Sequence, residues 1–382
     1  MKICQLLTPP TVYAGMGSIE KLQEILQKAH AKSVLLFTGK ALRDLGITAR
    51  AEEICQQVSC RIVDNLAIEP SVQDVEKVIA EAQGETYDVV IGIGGGSVMD
   101  AAKLASLLVG ANYTLRDLLQ DVAPARKHIK SVMIPTTCGT GSEATCNAIV
   151  AIPEQETKQG IVSMQMIPDA VILDPAMIAR LPQAIIASTG IDALAHNVEC
   201  FTSNKATALS DTYAREGARK IFHYIRRAYD NPDDMEAKSE MLLGAFYGGI
   251  AITGSGTTAV HALSYPLGGK YHIAHGVSNA ILFAHVMAFN QDGCQDRLAA
   301  LADAVFPEHY KESALKKAEF IIHEIAAIVH DTHIPTDLKQ FGVKAEDLDF
   351  LVESGSQQKR LLNNNCKSLS LADIRGIYQK VL

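Results

Sequence analysis

The chain has 382 residues, 48% of them hydrophobic and 20% charged, which is enough for two domains of ordinary size. A formal net charge of −8 with no dense Lys/Arg run argues against nucleic acid as a partner. Eight scattered cysteines without a C-x-x-C argue against a Cys-type zinc site and for reduced thiols in a cytoplasmic setting.

The N-terminus, MKICQLLTPP, carries too short an apolar run for a signal peptide. The first half then alternates short apolar runs with helical periodicity. SVLLFT (33–38), CRIVD (60–64), YDVVIGIGGG (87–96) and IKSVMIP (129–135) read as strands, with SIEKLQEILQKAH and VQDVEKVIAEAQ as helices between them. That alternation implies βαβ units and a mostly parallel sheet. No internal repeat or low-complexity segment interrupts it.

VVIGIGGGSVMDAAK (89–103) reads as a strand, a glycine turn and a helix start. Gly94, Gly95 and Gly96 are expected to take backbone angles closed to other residues and to let a ligand approach the main chain. The helix start offers unpaired N–H groups and a positive dipole end, an anion site. Ser97 and Asp100 have the S-x-x-D spacing of a capping box. A tight turn into a well-capped helix is the plainer reading, and the pattern is neither the usual dinucleotide fingerprint nor a Walker loop. Its place after a buried strand favours a pyrophosphate. A second turn, IPTTCGTGSEAT (134–145), presents Thr136, Thr137, Thr140 and Ser142 to a phosphate, ribose or nicotinamide amide, or is simply a solvated loop. Two such turns at one edge of an open α/β sheet mark its ligand crevice.

From about residue 185 long helical patterns replace the strands, so the division is expected at 1–184 and 185–382. In GIDALAHNVECF (190–201), Asp192 and His196 stand four apart and share a helix face. They form either half of a metal site or a simple helix-face hydrogen bond. Met241 to Gly269 carries no Asp, Glu, Lys or Arg, yet its seven glycines and a proline rule out a membrane span and mark buried backbone. HALSYPLGGKYHIAHG (261–276) adds His261 and His275. One carboxylate and three imidazoles are a common donor set for a divalent metal with an open position.

Taken together, YAGMGSIEKL, GGGSVMDAAK, IPTTCGTGSE, PDAVILDP, GIDALAHNVE and HALSYPLGGKYHIAHG, in that order along nearly the whole chain, resemble the iron-dependent (group III) alcohol dehydrogenases of the dehydroquinate synthase-like superfamily. The resemblance implies an α/β N-terminal dinucleotide-binding domain plus an all-α C-terminal domain, with the metal in the cleft between them. It implies Asp192, His196, His261 and His275 as ligands of Fe²⁺, with Zn²⁺ as the alternative, and the 94–97 turn as the pyrophosphate site. Lys158 joins the expected cofactor contacts. The implied activity is hydride transfer between a small primary alcohol or aldehyde and NAD(P), in a homodimer with no membrane partner. A glycerol dehydrogenase-like or dehydroquinate-synthase-like zinc enzyme is the alternative within the superfamily.

Several positions depart from the family pattern. Tyr265 replaces a histidine four residues after the third ligand, Ala274 replaces a proline before the last, Glu69-Pro70 replaces Asn-Pro, and NNNCKSLS replaces a Pro-Arg segment. His272 could pass the alcohol proton to solvent, and Tyr265 is the other catalytic candidate, as a shaper of the substrate pocket. In NAD-preferring relatives an aspartate commonly stands where this chain has Gly39, followed by Lys40. Gly39 neither repels nor excludes a 2′-phosphate, so NADP(H) is expected over NAD(H).

Overall fold

A computed structural model describes residues 3–382. The strands are β1 (Val12–Ala14), β2 (Ser33–Phe37), β3 (Ser59–Val63), β4 (Val89–Gly94), β5 (Lys130–Pro135), β6 (Asn147–Ile152), β7 (Thr157–Val162) and β8 (Ala170–Leu173). Six of them form one sheet in the order β1-β8-β5-β4-β2-β3, with parallel pairing throughout. The helices of this half are α1 (Lys21–Lys28), α2 (Lys40–Asp44), α3 (Ala49–Cys55), α4 (Val72–Ala82), α5 (Gly96–Leu108) and α6 (Leu115–Gln120).

Both faces of the sheet are covered, as an all-parallel sheet requires. The pleat sorts the strand side chains. Val34, Leu36, Ile91 and Ile93 pack with Leu22, Leu26 and Ile54 on one face. Leu35, Phe37 and Val90 pack with Val75, Ala101 and Leu104 on the other. β4 is buried along its whole length, which explains why its sequence is a continuous apolar run rather than an alternating one.

β6 and β7 pair antiparallel as a separate hairpin, tied to the chain ahead of α4 by a bridge between Ser71 and Ala151. This hairpin, β1 and β8 are absent from the strands expected from sequence. β1 has three residues and β8 four, too short for a periodic signal.

The second half is helical: α7 (Gln183–Thr202), α8 (Ala208–Asp230), α9 (Met235–Ser255), α10 (Ala259–Tyr271), α11 (His275–Val305), α12 (Ala314–Asp331), α13 (Leu348–Ser356), α14 (Lys359–Leu362) and α15 (Leu371–Gln379). Their shared core includes Ile191, Leu194, Val198, Ile221, Met241, Leu263, Phe283 and Ile325. The uncharged 241–269 stretch lies across α9 and α10 and is mostly buried. Among the described residues no helix is long and apolar enough to cross a membrane.

The two halves meet through glycines. A Cβ on Gly249 of α9 would sit 2.3 Å from the Gly141 carbonyl oxygen, and one on Gly141 would sit 2.6 Å from the Gly249 Cα. Gly141 also has φ +59°, a left-handed conformation that favours glycine. Any side chain at either position would push the 136–145 turn off α9 and open the crevice between the halves.

Candidate metal centre and cofactor cleft

α7 is buried along most of its length and presents Asp192, His196 and Glu199 at successive turns of one face. His261 sits in the first turn of α10 and His275 opens α11. The turn at 272–274 folds α11 back, so two histidines fourteen residues apart face the same carboxylate. One ligand atom from each of Asp192, His261 and His275 lies within 4.8 Å of the others. Asp192 Oδ1 is 3.5 Å from His261 Nε2, 3.6 Å from His275 Nε2 and 3.9 Å from His196 Nε2. The His196 ring stacks on His261 at 4.4 Å, at the edge of this triangle rather than inside it.

Two residues that sequence reasoning left without a role support the cluster. Glu199 is wholly buried. Its Oε1 accepts from the Thr258 hydroxyl (2.5 Å) and from the Thr258 and Val260 amides (3.2 and 2.8 Å). Its Oε2 pairs with His261 Nδ1, which turns His261 Nε2 toward Asp192. Asn279, one turn after His275, donates from Nδ2 to Asp192 Oδ1 at 2.7 Å and lies 3.3 Å from the Nε2 atoms of His261 and His275. Both were within reach of the helical-spacing argument that found Asp192 and His196, since Glu199 is i+3 from His196 and Asn279 is i+4 from His275.

The electrostatics suit a cation. Burial works against ionising Asp192, yet the imidazoles around it hold its carboxyl far below the usual range. Burial takes His196 down to about 4 and His275 down to about 3, so both are neutral with lone pairs available. His261 goes the other way: burial is outweighed by Glu199 and Asp192, and its pKa rises to about 9. His196 Nδ1 and Asn279 Oδ1 are buried without a protein partner. An anionic carboxylate, imidazole nitrogens and orphaned polar atoms in one place fit a divalent metal. His275 is the open side of the set, with a quarter of its side chain accessible while the side chains of Asp192, His196 and His261 are nearly closed.

The cluster forms one wall of a cleft of about 470 Å³ that also reaches Gly96, Ser97, Asp100, Thr140 and Ser142. The glycine turn is there, for a different reason than expected. None of Gly94, Gly95 and Gly96 has a positive φ. Gly94 and Gly96 lack room: a Cβ on Gly94 would lie 2.7 Å from Val98, and one on Gly96 would lie 2.8 Å from Thr140, whereas one on Gly95 would make only ordinary contact with Thr137 at 3.6 Å. The capping box is also corrected. The helix N-cap is Gly95, with no side-chain cap, so Ser97 is the second helical residue. Ser97 instead accepts from the Glu69 amide (3.2 Å). Asp100 accepts from the Ser142 hydroxyl (2.5 Å) and the Ile149 amide (2.9 Å), and pairs with buried Lys103 (2.9 Å). Lys103 in turn donates to the Ser142 carbonyl (2.9 Å) and Thr145 (3.1 Å), so this pair ties α5 to the hydroxyl-rich turn. α5 is therefore left with its uncapped N–H groups facing the cleft, which keeps them available to an anion.

The other expected residues fall as follows. Thr136 is buried and its amide donates to the Gly94 carbonyl, while Thr137 packs beside Gly95. Gly39 caps α2 at the carboxyl end of β2, with ordinary extended angles (φ −104°, ψ 139°). Lys158 is buried in the cleft wall and pairs with Glu69 at 2.9 Å. Tyr265 lines the cleft, its ring 6.1 Å from that of His275. His272 ends α10 with a left-handed backbone (φ +54°), is exposed, and does not line the cleft, so the structure does not bring it to the cluster.

Known proteins resemble the chain along its whole length. The family described as "Iron-containing alcohol dehydrogenase" matches residues 9–175, and "Fe-containing alcohol dehydrogenase family, C-terminal" matches residues 186–382. Long-chain-alcohol dehydrogenase 1 of Geobacillus thermodenitrificans is 34% identical over 99% of this chain and 97% of its own. Lactaldehyde reductase of Escherichia coli is 27% identical over 98% of both. The crystal structure of a 1,3-propanediol oxidoreductase superposes with a TM-score of 0.94 at 27% identity, covering all of both chains.

Proposed function

The chain belongs to the iron-containing alcohol dehydrogenase family, and from that premise we propose how its own residues divide the work. It is a metal-dependent oxidoreductase that interconverts alcohols and aldehydes with a nicotinamide cofactor. In our reading Asp192, His196, His261 and His275 hold the metal, residues 1–184 carry the cofactor and 185–382 the metal, and the ion is Fe²⁺.

When bound, the metal supplies Lewis-acid polarisation of the substrate oxygen, and the nicotinamide supplies hydride transfer. The protein supplies placement. Asp192 contributes the negative charge that a divalent ion needs, and Asn279 holds its Oδ1. Glu199 retains the proton of His261 on Nδ1, so that Nε2 is the nitrogen that gives up its proton to become the ligand atom. The Gly94–Gly96 turn lets the pyrophosphate reach the amides at the start of α5. Thr136, Thr137 and Thr140 border it, and Asp100 and Lys103 fix the turn that carries Ser142. Lys158 offers a buried cation to the cofactor. Ile149 and Ile252 in the cleft wall exclude water, and Tyr265 shapes the substrate end. Gly39 leaves space for a 2′-phosphate, which favours NADPH.

The observation that carries this reading is the convergence of Asp192, His261 and His275 in a cleft shared with the Gly96–Ser97 helix start. A panel of short aldehydes and alcohols, assayed with NADH and NADPH under anaerobic conditions in Fe²⁺ and in Zn²⁺, tests it. Net oxidation or reduction of the nicotinamide that depends on the metal is expected. No net change with any substrate would overturn it.

A further inference from the structure

The charged residues of the cleft do not balance. Of the three acids in its wall, Glu69 pairs with Lys158 at 2.9 Å, Asp100 pairs with Lys103 at 2.9 Å, and Asp192 belongs to the metal cluster. Two cations in the same wall, Arg360 and Lys205, have no carboxylate partner among the described residues. Lys205 lies beyond the end of α7, beside the Thr253–Gly256 segment of the wall. Arg360 is at the metal end.

Its position is fixed by its neighbours. Leu361 is buried against Tyr265 and Ala262, which sets α14 on α10. The Arg360 guanidinium lies over Gly160 of β7, where a Cβ would come within 2.9 Å of its Nη2. It also adjoins the Tyr265 phenol. Burial raises the pKa of that phenol and the guanidinium opposes the rise. Tyr265 in turn is 6.1 Å, ring to ring, from His275, the open side of the ligand set. A second recess of about 530 Å³, bounded by Gly160, Phe350 and Gln358, lies on the far side of Arg360, so the residue stands where the cleft opens outward.

A planar guanidinium without a carboxylate, next to a phenol and one ring away from the metal set, is built to receive two oxygens of an anion. We propose that the preferred substrates are short aldehydes and alcohols ending in a carboxylate or phosphate, with the anionic end held by Arg360 beside Tyr265 and the carbonyl at the metal cluster. The proposal rests on the reading of the site as an aldehyde reductase. A neutral substrate of equal length loses this contact and leaves the cation, which is exposed, to solvent. Charge-assisted hydrogen bonds of this kind are worth roughly ten- to a hundredfold in affinity.

The test uses the metal-loaded enzyme and matched substrates: 4-oxobutanoate against butanal for the carboxylate, and glycolaldehyde phosphate against glycolaldehyde for the phosphate. The wild type is expected to favour at least one anionic member by tenfold or more in kcat/KM. In Arg360→Gln that preference should fall at least tenfold, with Arg360→Lys restoring part of it. The substrate pair that responds identifies the anion. Equal preference in the wild type overturns the proposal, as does an equal loss for charged and neutral substrates. A raised KM for NADPH with unchanged selectivity would assign Arg360 to the cofactor and also overturn it. Calorimetry of succinate and of ethyl phosphate binding to the wild type and Arg360→Gln reads the same contact without turnover. An enzyme that reduced no aldehyde would thus sink the reductase reading, while Arg360-dependent binding of either anion, or the absence of both, still decides this one.

Discussion

Replacing Glu199 with glutamine should weaken metal binding without touching a ligand. The side chain is fully buried, and its four contacts are all with donors: the Thr258 amide and hydroxyl, the Val260 amide, and His261 Nδ1. The carboxylate accepts from all four. A glutamine has one oxygen and one NH₂ group. The two backbone amides require the oxygen on the Thr258 side, since an NH₂ there would face N–H groups. The NH₂ must therefore point at His261 Nδ1. To accept from it, His261 has to move its proton to Nε2, the nitrogen 3.5 Å from Asp192 and turned to the metal cluster. Metal binding must reverse that tautomer and leave two donors face to face. Losing a charge-assisted bond costs about 1.5–3 kcal/mol, and loss of such a supporting contact typically lowers metal affinity roughly 10–100-fold. Titration of the apoprotein with Zn²⁺ against a competing chelator at pH 7.5 measures this. Circular dichroism and the apo Tm separate it from misfolding. A folded Glu199→Gln protein with a metal Kd within about threefold of wild type would refute the tautomer argument.

Two further outcomes follow from single residues. At Gly39 the backbone has a negative φ and a Cβ would meet only Leu42, at 3.8 Å, so Gly39→Asp should fold normally. It should shift the NADPH/NADH ratio of kcat/KM toward NADH by about tenfold or more, and an unchanged ratio would place cofactor choice elsewhere. Glu143 is fully buried with Oε1 unpartnered, and burial pushes its carboxyl up to about 7 from 4.5. A raised carboxylate pKa favours the neutral form in the folded state. Its stabilising contribution is complete below about pH 4.5 and is lost as pH rises through 7, a loss of about 3 kcal/mol. Glu143→Gln should therefore gain stability relative to wild type between pH 5 and 8 in denaturant titrations, and parallel curves for the two proteins would contradict this.

The sequence made the strongest local signals legible and missed those that depend on three-dimensional approach. Asp192 and His196 were visible because helical spacing is a local rule. The convergence of His261 and His275 on them was expected from the family resemblance alone, since it depends on the reversal at 272–274, which no periodicity encodes. The glycine turn was found, but the reason proposed for it was conformational, whereas the constraint is contact with Val98 and Thr140. The capping-box spacing misled because the helix begins at Gly96, one residue before Ser97, which left Asp100 to bind Ser142 and Ile149 instead. The β6–β7 hairpin escaped notice because it stands apart from the main sheet and pairs with no strand of it. Arg360 carries no sequence signal at all: its meaning comes from its having no carboxylate partner among the described residues of the folded chain.

Metal stoichiometry set against turnover tests the central claim most directly. Protein stripped with a chelator and reloaded anaerobically with Fe²⁺ or Zn²⁺ should bind one ion per chain and regain NAD(P)H-linked turnover in proportion to loading. His261→Ala, prepared in the same way, should retain cofactor binding at the separate Gly94–Ser97 turn while losing both metal and turnover. Full turnover by the stripped protein, or normal metal content and rate in His261→Ala, would contradict the account.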